Sequence, residues 1–319
     1  MIRLSLVVVL LLSISHVYAD TLLMKNGDRL TGKVLKKDGK HLSFQTEYGT
    51  FQVAWTKVES ISADDPMIIL HADGTTEDLR TVHSIEEKDI EWINPAPWRL
   101  GEGYQFSGNA NFALQLDRGN TDKDEFEVDG KVTARSLKNR FSVWGEMQDH
   151  EAQGIKTADN WLARAKYDRF LYKRFFVAAL GAVDVDEFAN LDRRLRAGPH
   201  IGYQFYESKE INLSVETGLM RIKEEFQNTP ADYYYGSTWL VSFDYYLLED
   251  TLQLYHNQDG LLDIEESDKY IWKSWTGLRV PLAFGVVVSG EVNFEYDSQP
   301  ATEADKIDTT YSVKLGYTW

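Results

Sequence analysis

The chain has 319 residues, a formal charge of −16 and no cysteine. That acidic balance excludes the basic surface that nucleic-acid binding needs, so no nucleic-acid partner is expected. With 13% aromatic residues and only 7 prolines, a disordered chain is also excluded.

Residues 1–19 have the layout of a secretory signal peptide. Arg3 supplies a positive start, Leu4 to Leu12 form a short apolar run, and Ala19 is a small residue at a cleavage position. The mature protein is expected to begin near Asp20, and without a cysteine no lipoprotein anchor is available. No later stretch approaches the roughly 18 apolar residues of a membrane-spanning helix. An exported chain without disulfides needs another source of stability, and a large closed sheet would supply it.

Residues 20–98 read as a small SH3-like or Sm-like β domain, with turn signals at Asn26-Gly27-Asp28, Tyr48-Gly49 and Asp73-Gly74. Its first strands carry Lys25, Arg29, Lys33, Lys36, Lys37 and Lys40. These form either a solvated face or a contact surface for a periplasmic partner. Trp55, Trp92 and Trp98 are either core residues or docking aromatics. Asn94-Pro95-Ala96-Pro97 then reads as a linker, since proline disfavours helix and removes a backbone donor.

From residue 99 to 319 the period-two alternation of long strands takes over. Leu195, Ala197, Pro199, Ile201, Tyr203 and Phe205 share one face; Arg194, Arg196, Gly198, His200, Gly202 and Gln204 share the other. About twelve such strands of membrane-spanning length are expected. They lie near 104–117, 124–136, 140–150, 160–171, 174–188, 193–207, 210–226, 233–248, 251–265, 270–282, 285–298 and 308–319. Tiny connections alternate with longer polar ones such as QGIKTADN and QPATEADKI. The expectation is therefore an all-β protein, a transmembrane antiparallel barrel in the bacterial outer membrane, with the small domain in the periplasm. Pro199 falls in mid-strand and predicts a bulge or a shifted boundary. Tyr104, Trp161, Tyr167, Tyr203, Tyr233, Tyr245 and Tyr317 fit interfacial girdles facing lipid and lipopolysaccharide.

The chain closes on TTYSVKLGYTW, where Tyr311, Val313, Leu315, Tyr317 and Trp319 alternate with polar residues. An aromatic terminal strand of this kind is a recruitment signal for the barrel-assembly machinery, which can capture it by edge pairing. The opposite face of the strands is rich in charge. Glu127, Lys131, Arg135, Glu146, Arg164, Lys166, Asp168, Arg194, Arg196, His200, Glu216, Asp244, Glu291 and Lys314 are expected to point inward. Two readings stay open: an aqueous path whose charges set ion preference, or an interior filled by paired charges. DVDEFANLD (184–192) and the stretch 259–268 read as acidic outer loops. They are either solvated or collect divalent cations that bridge to lipopolysaccharide phosphates. Neither has an EF-hand spacing, and no metal site or cofactor is assigned. The barrel's histidines, His150, His200 and His256, cannot be tied by spacing to a nucleophile. No catalytic residue is assigned, and the expectation is a non-enzyme.

TADNWLARAKYDRFL, FANLDRRLRAGPHIGYQF and VNFEYDSQPATEADKIDTTYSVKLGYTW, with the Gly119–Asp122 motif GNTD, resemble the salt-induced outer-membrane protein family. That family is YdiY-like and is also known as domain-of-unknown-function family 481. The resemblance spans about residues 104–319. It implies an outer-membrane β-barrel linked to salt or osmotic conditions, with no established activity and no catalytic residues. A porin-like channel, or an anchor whose small domain recruits a periplasmic partner, would both fit; a barrel lipid hydrolase fits less well.

Overall fold

The computed structural model describes residues 19–83, 89–117, 123–188, 190–248, 250–266, 268–300 and 305–319. The expected signal peptide and the GNTD motif lie outside the described residues. Among these no helix is long and apolar enough to cross a membrane. The chain divides into two compact units between Pro95 and Ala96.

The first unit contains β1 (Asp20–Met24), β2 (Arg29–Asp38), β3 (His41–Thr46), β4 (Gly49–Ala54), β5 (Val58–His71), β6 (Thr76–His83) and β7 (Ile90–Ile93). β1 pairs with both β2 and β5, and β7 pairs with the same two strands, so these four close a small ring. Its core includes Leu22, Leu42, Phe44, Val58, Ile61, Ile69 and Ile93. The Asn-Gly and Asp-Gly turn signals work as expected: Gly27 and Gly74 both sit at φ +89°, a conformation that costs glycine little. Lys37 departs from the solvated basic face. It is 4% exposed, and its Nζ donates to the carbonyls of Gly39 (3.1 Å), Ile90 (3.0 Å) and Glu91 (2.8 Å). The ammonium staples β2 to the start of β7. Lys37→Met should destabilise this unit by roughly 2–3 kcal/mol, read as a lower urea midpoint for its proteolysis within the intact chain. An unchanged midpoint would show that the staple is dispensable.

The second unit is a closed ring of twelve antiparallel strands, each paired with its sequence neighbour and the last with the first. They are β8 (Gln105–Asp117), β9 (Lys123–Arg135), β10 (Asn139–Ala152), β11 (Ile155–Phe170), β12 (Phe175–Asp186) and β13 (Leu191–Glu207). β14 (Ile211–Phe226), β15 (Asp232–Leu248), β16 (Leu252–Asp263), β17 (Tyr270–Pro281), β18 (Val286–Asp297) and β19 (Ile307–Thr318) complete it. Closure satisfies backbone groups that lipid cannot. The outward residues are apolar and aromatic, and all seven girdle aromatics named above are exposed. This is a transmembrane barrel.

Two expectations change here. QGIKTADN is not a long loop. β10 and β11 meet at Gln153 (φ 54°) and Gly154 (φ 78°), a tight hairpin turn of the primed kind. The polar run that follows is strand, tied by Lys156 to Asp149 (3.2 Å) and Asp159 (2.5 Å). Its polarity marks emergence from the apolar band rather than loss of strand. Pro199 makes no bulge. It pairs with Ala179 on β12, and the β13–β14 register is the same at Ala197↔Arg221 and His200↔Gly218. The proline forgoes one donor, and its neighbour Gly198 lets the strands approach: a Cβ there would lie 2.0 Å from the Leu219 carbonyl oxygen.

The ring closes where Trp319 and Gly108 exchange backbone bonds, each 3.1 Å. A Cβ on Gly108 would meet the Trp319 ring at 2.4 Å. Gly108→Val should therefore block closure, and the refolded protein should lose most of its heat-modifiable band on cold gels. Normal folding yield would show that the indole has another place to go.

Candidate functional site: a divided lumen

Strand alternation turns one set of side chains from every strand into the lumen, and their contacts show its width. Arg164 on β11 bonds Asp259 on β16, and the Trp144 ring on β10 meets the Trp275 ring on β17 edge-on at 5.2 Å. Both pairs join strands five steps apart in the ring. Twelve strands spaced by about 4.8 Å and tilted by roughly 40° would wrap a circular tube of about 24 Å between opposite Cα atoms. An arginine touching an aspartate spans at most about 13 Å between Cα atoms, and two touching tryptophans at most about 15 Å. The barrel is therefore flattened, and these residues form a wall across it. Arg164 stacks on Trp144 at 5.1 Å, which joins the two contacts into one partition.

On the side of β11–β16 the lumen is packed. Leu180, Met220, Ile222, Tyr234, Leu240, Leu261 and Ile271 form a buried apolar cluster inside the tube. Around it buried arginines, a lysine and carboxylates pair. Arg196 reaches Asp184 (3.1 Å) and Asp259 (3.3 Å), and Arg194 reaches Glu224 (2.6 Å). Lys166 bonds Glu216 and approaches Asp168 at 3.4 Å. His200 shares a 2.7 Å hydrogen bond with Thr238. Toward the short-turn end, Arg135 grips Glu207 with two bonds of 2.8 and 3.0 Å and lies 3.8 Å over the Phe170 ring. Trp98, from the segment that leads into β8, is buried there under Arg99 (4.2 Å) and Arg135 (5.1 Å).

On the side of β8–β10 and β17–β19 the lumen is polar and predominantly acidic. Ser107, Asn109, Thr133, Ser142, Glu146, Gln148 and Asn293 keep partial exposure. A buried cluster on this side is built on Lys314, 5% exposed. Its Nζ donates to Asp129 (2.9 Å) and Glu291 (2.7 Å), with Glu127 at 3.9 Å. Ser312 donates to Glu127 at 2.6 Å, Asn111 to Asp129 at 2.7 Å and Tyr255 to Glu291 at 2.9 Å. One cation thus faces three carboxylates. Local attraction of this kind favours cations over anions.

The inward residues expected from the sequence thus divide. Arg135, Arg164, Lys166, Asp168, Arg194, Arg196, His200 and Glu216 belong to the packed side or its floor; Glu127, Glu146, Glu291 and Lys314 line the acidic side; and Lys131 and Asp244 are half-buried inward positions on β9 and β15. Tyr311, Val313, Leu315, Tyr317 and Trp319 lie on the exposed outer face of β19. The acidic loops are corrected: Asp184 and Asp259 are strand residues, buried inward as counter-ions to arginine. Among the described residues no group of three or more His, Cys, Asp or Glu is arranged to hold a metal ion. His150 sits 3.6 Å from Glu127, while His256 faces outward and shares a 2.8 Å bond with Thr276. The Trp144–Trp275 wall was not anticipated, because its partners are far apart in sequence and tryptophan inside a barrel reads like any other strand aromatic.

The sequence profile of the family described as "Protein of unknown function, DUF481" matches residues 110–319. No curated protein matches the chain. Among solved structures, the NanC porin aligns with TM-score 0.41 and 9% identity, covering 67% of this chain and 99% of its own. OmpT of Vibrio cholerae aligns with TM-score 0.35 and 10% identity over 68% and 97%. The KdgM porin aligns with TM-score 0.36 and 11% identity over 67% and 99%. At such scores these likenesses carry no functional argument.

Proposed function

Because the chain belongs to the DUF481 family, whose description assigns no activity, we propose its function from the lumen itself: a narrow, cation-preferring path across the outer membrane. The observation that carries this is the division of the lumen. The packed half is filled by the apolar cluster and paired charges around a small cavity lined by Asp184, Arg196, Asp259 and Lys273, and the other half presents Glu127, Asp129 and Glu291 around one buried lysine. A low-dielectric wall behind a set of like charges concentrates counter-ions. In this reading the protein is not an enzyme: His200 serves the packed side and His150 accompanies Glu127, while His256 faces outward. The short-turn end and the small unit lie in the periplasm, and the link to salt or osmotic conditions is ion passage regulated by the Lys314 constriction.

Planar-bilayer recording of the refolded protein tests it. Small stable steps with a reversal potential favouring K⁺ over Cl⁻ are expected in a potassium chloride gradient. Inserted protein without any steps, or steps favouring chloride, would refute it.

A further inference from the structure

The ring is closed unevenly. β8 is laddered to β9 from Gln105 to Asp117, and β18 to β19 from Val286 to Tyr296. Between β19 and β8 the ladder covers only Leu315↔Phe112 to Thr318↔Asn109, plus the Trp319–Gly108 exchange. Among the described residues no ladder pair joins 307–314 to 113–117. Bonding residues alternate along an antiparallel ladder. In the set that contains Trp319, Val313, Tyr311 and Thr309 therefore aim their backbone groups at an unzipped seam. The side chains there are bare: Tyr311 is 78% and Val313 75% exposed, the highest among the described large apolar residues of the barrel strands. Unpaired backbone has no water to bond in the hydrocarbon region and is tolerated only where it borders a wet cavity.

The side of the lumen that borders the seam is the acidic half. Directly behind the gap stand Glu125 and Glu127 on β9, Glu291 and Glu295 on β18, and Asp308 on β19. Outside it the walls are apolar: Leu114, Tyr311 and Val313. We propose that the unzipped part of the β8–β19 seam is a lateral portal, through which single-chain amphiphiles with a positively charged head move between the bilayer and the acidic half-lumen. The head is drawn by the carboxylates while the chain stays in lipid. Lys314, beside the last laddered residue Leu315, marks the bottom of the gap. The charge preference rests on the acidic lumen proposed above; the portal does not require ion conduction.

The test uses the full chain in liposomes and spin-labelled dodecyl-dimethylammonium, with spin-labelled dodecyl phosphate as its anionic twin. Leu114→Cys with Val313→Cys places two thiols opposite each other in the continued register, in a chain with no other cysteine. A bismaleimide bridges them if a disulfide does not. The immobilised fraction of the cationic probe should fall several-fold when the staple is closed and return when the disulfide is reduced. The anionic twin should show little immobilisation throughout. Glu125→Gln with Glu127→Gln should lower cationic immobilisation without any staple. Immobilisation that survives the staple, or that is equal for both probes, would overturn the portal. So would efficient dimer crosslinking of the single Val313→Cys variant, because a second copy would then fill the seam. A barrel that immobilises the probe but passes no potassium current refutes the conduction proposal alone. One that conducts but ignores the staple refutes the portal alone.

Discussion

Replacing Asp259 by asparagine leaves Arg164 and Arg196 side by side without the carboxylate they share, and the barrel is expected to lose about 3–5 kcal/mol of stability. All three side chains are largely buried: 6% exposed at Asp259, 14% at Arg164 and 6% at Arg196. Arg164 is then left without a carboxylate in a low-dielectric interior, beside Arg196, which keeps only Asp184. The charge also cannot leave, because arginine does not deprotonate in proteins. Urea titration of the refolded protein in liposomes, followed by tryptophan fluorescence, should show the loss directly. Trp144, stacked on Arg164, is well placed to report it. The matching control is Arg193→Gln, which breaks an ion pair to Glu225 whose arginine is 47% exposed; an exposed pair of this kind contributes at most about 1 kcal/mol. Equal losses for the two variants would mean that the interior is far wetter than its burial indicates.

The second large effect is on current. Lys314→Gln removes the one cation that ties Asp129 to Glu291 in the proposed constriction. The three carboxylates around it then stand without a fixed counter-ion, and mobile cations take its place. Potassium current should rise several-fold, and the reversal potential should move further toward the potassium value. Lys314→Gln combined with Glu291→Gln should give back part of the rise. Unchanged current in Lys314→Gln would place any conducting path elsewhere. Trp144→Ala separates wall from constriction, since it opens the partition and leaves Lys314 in place.

The barrel was legible because its signal is local. Alternation along a strand fixes which side chains point in, so Arg194, Arg196, His200 and Glu216 could be placed from period two alone. The terminal strand is plain for the same reason. The errors came where chemistry imitates something else. Lys156 and Asp159 are polar enough to read as loop, yet they extend a hairpin above the apolar band. Asp184 and Asp259 sit in acid-rich stretches, yet the partners that explain them are on other strands. Lys37 sits in a basic run, yet three carbonyls enclose it. The division of the lumen was not legible at all. It depends on contacts such as Arg164–Asp259 and Trp144–Trp275, between strands that are not neighbours in the ring. No periodicity encodes those distances.

The wall across the lumen has a mechanical side. A loop of fixed perimeter encloses its greatest area when it is round, and the Arg164–Asp259 and Trp144–Trp275 contacts hold this one flat. Stretching the surrounding bilayer does work on any inclusion that can enlarge its footprint. Except along the unzipped part of the β8–β19 seam, the perimeter is set by interstrand hydrogen bonds and cannot grow, so the laddered wall yields to tension by rounding out. Rounding parts the two tryptophans and pulls the arginine from its carboxylate. The side chains that fill the tube are therefore also its cross-braces, and their strength sets the tension at which the tube would change shape.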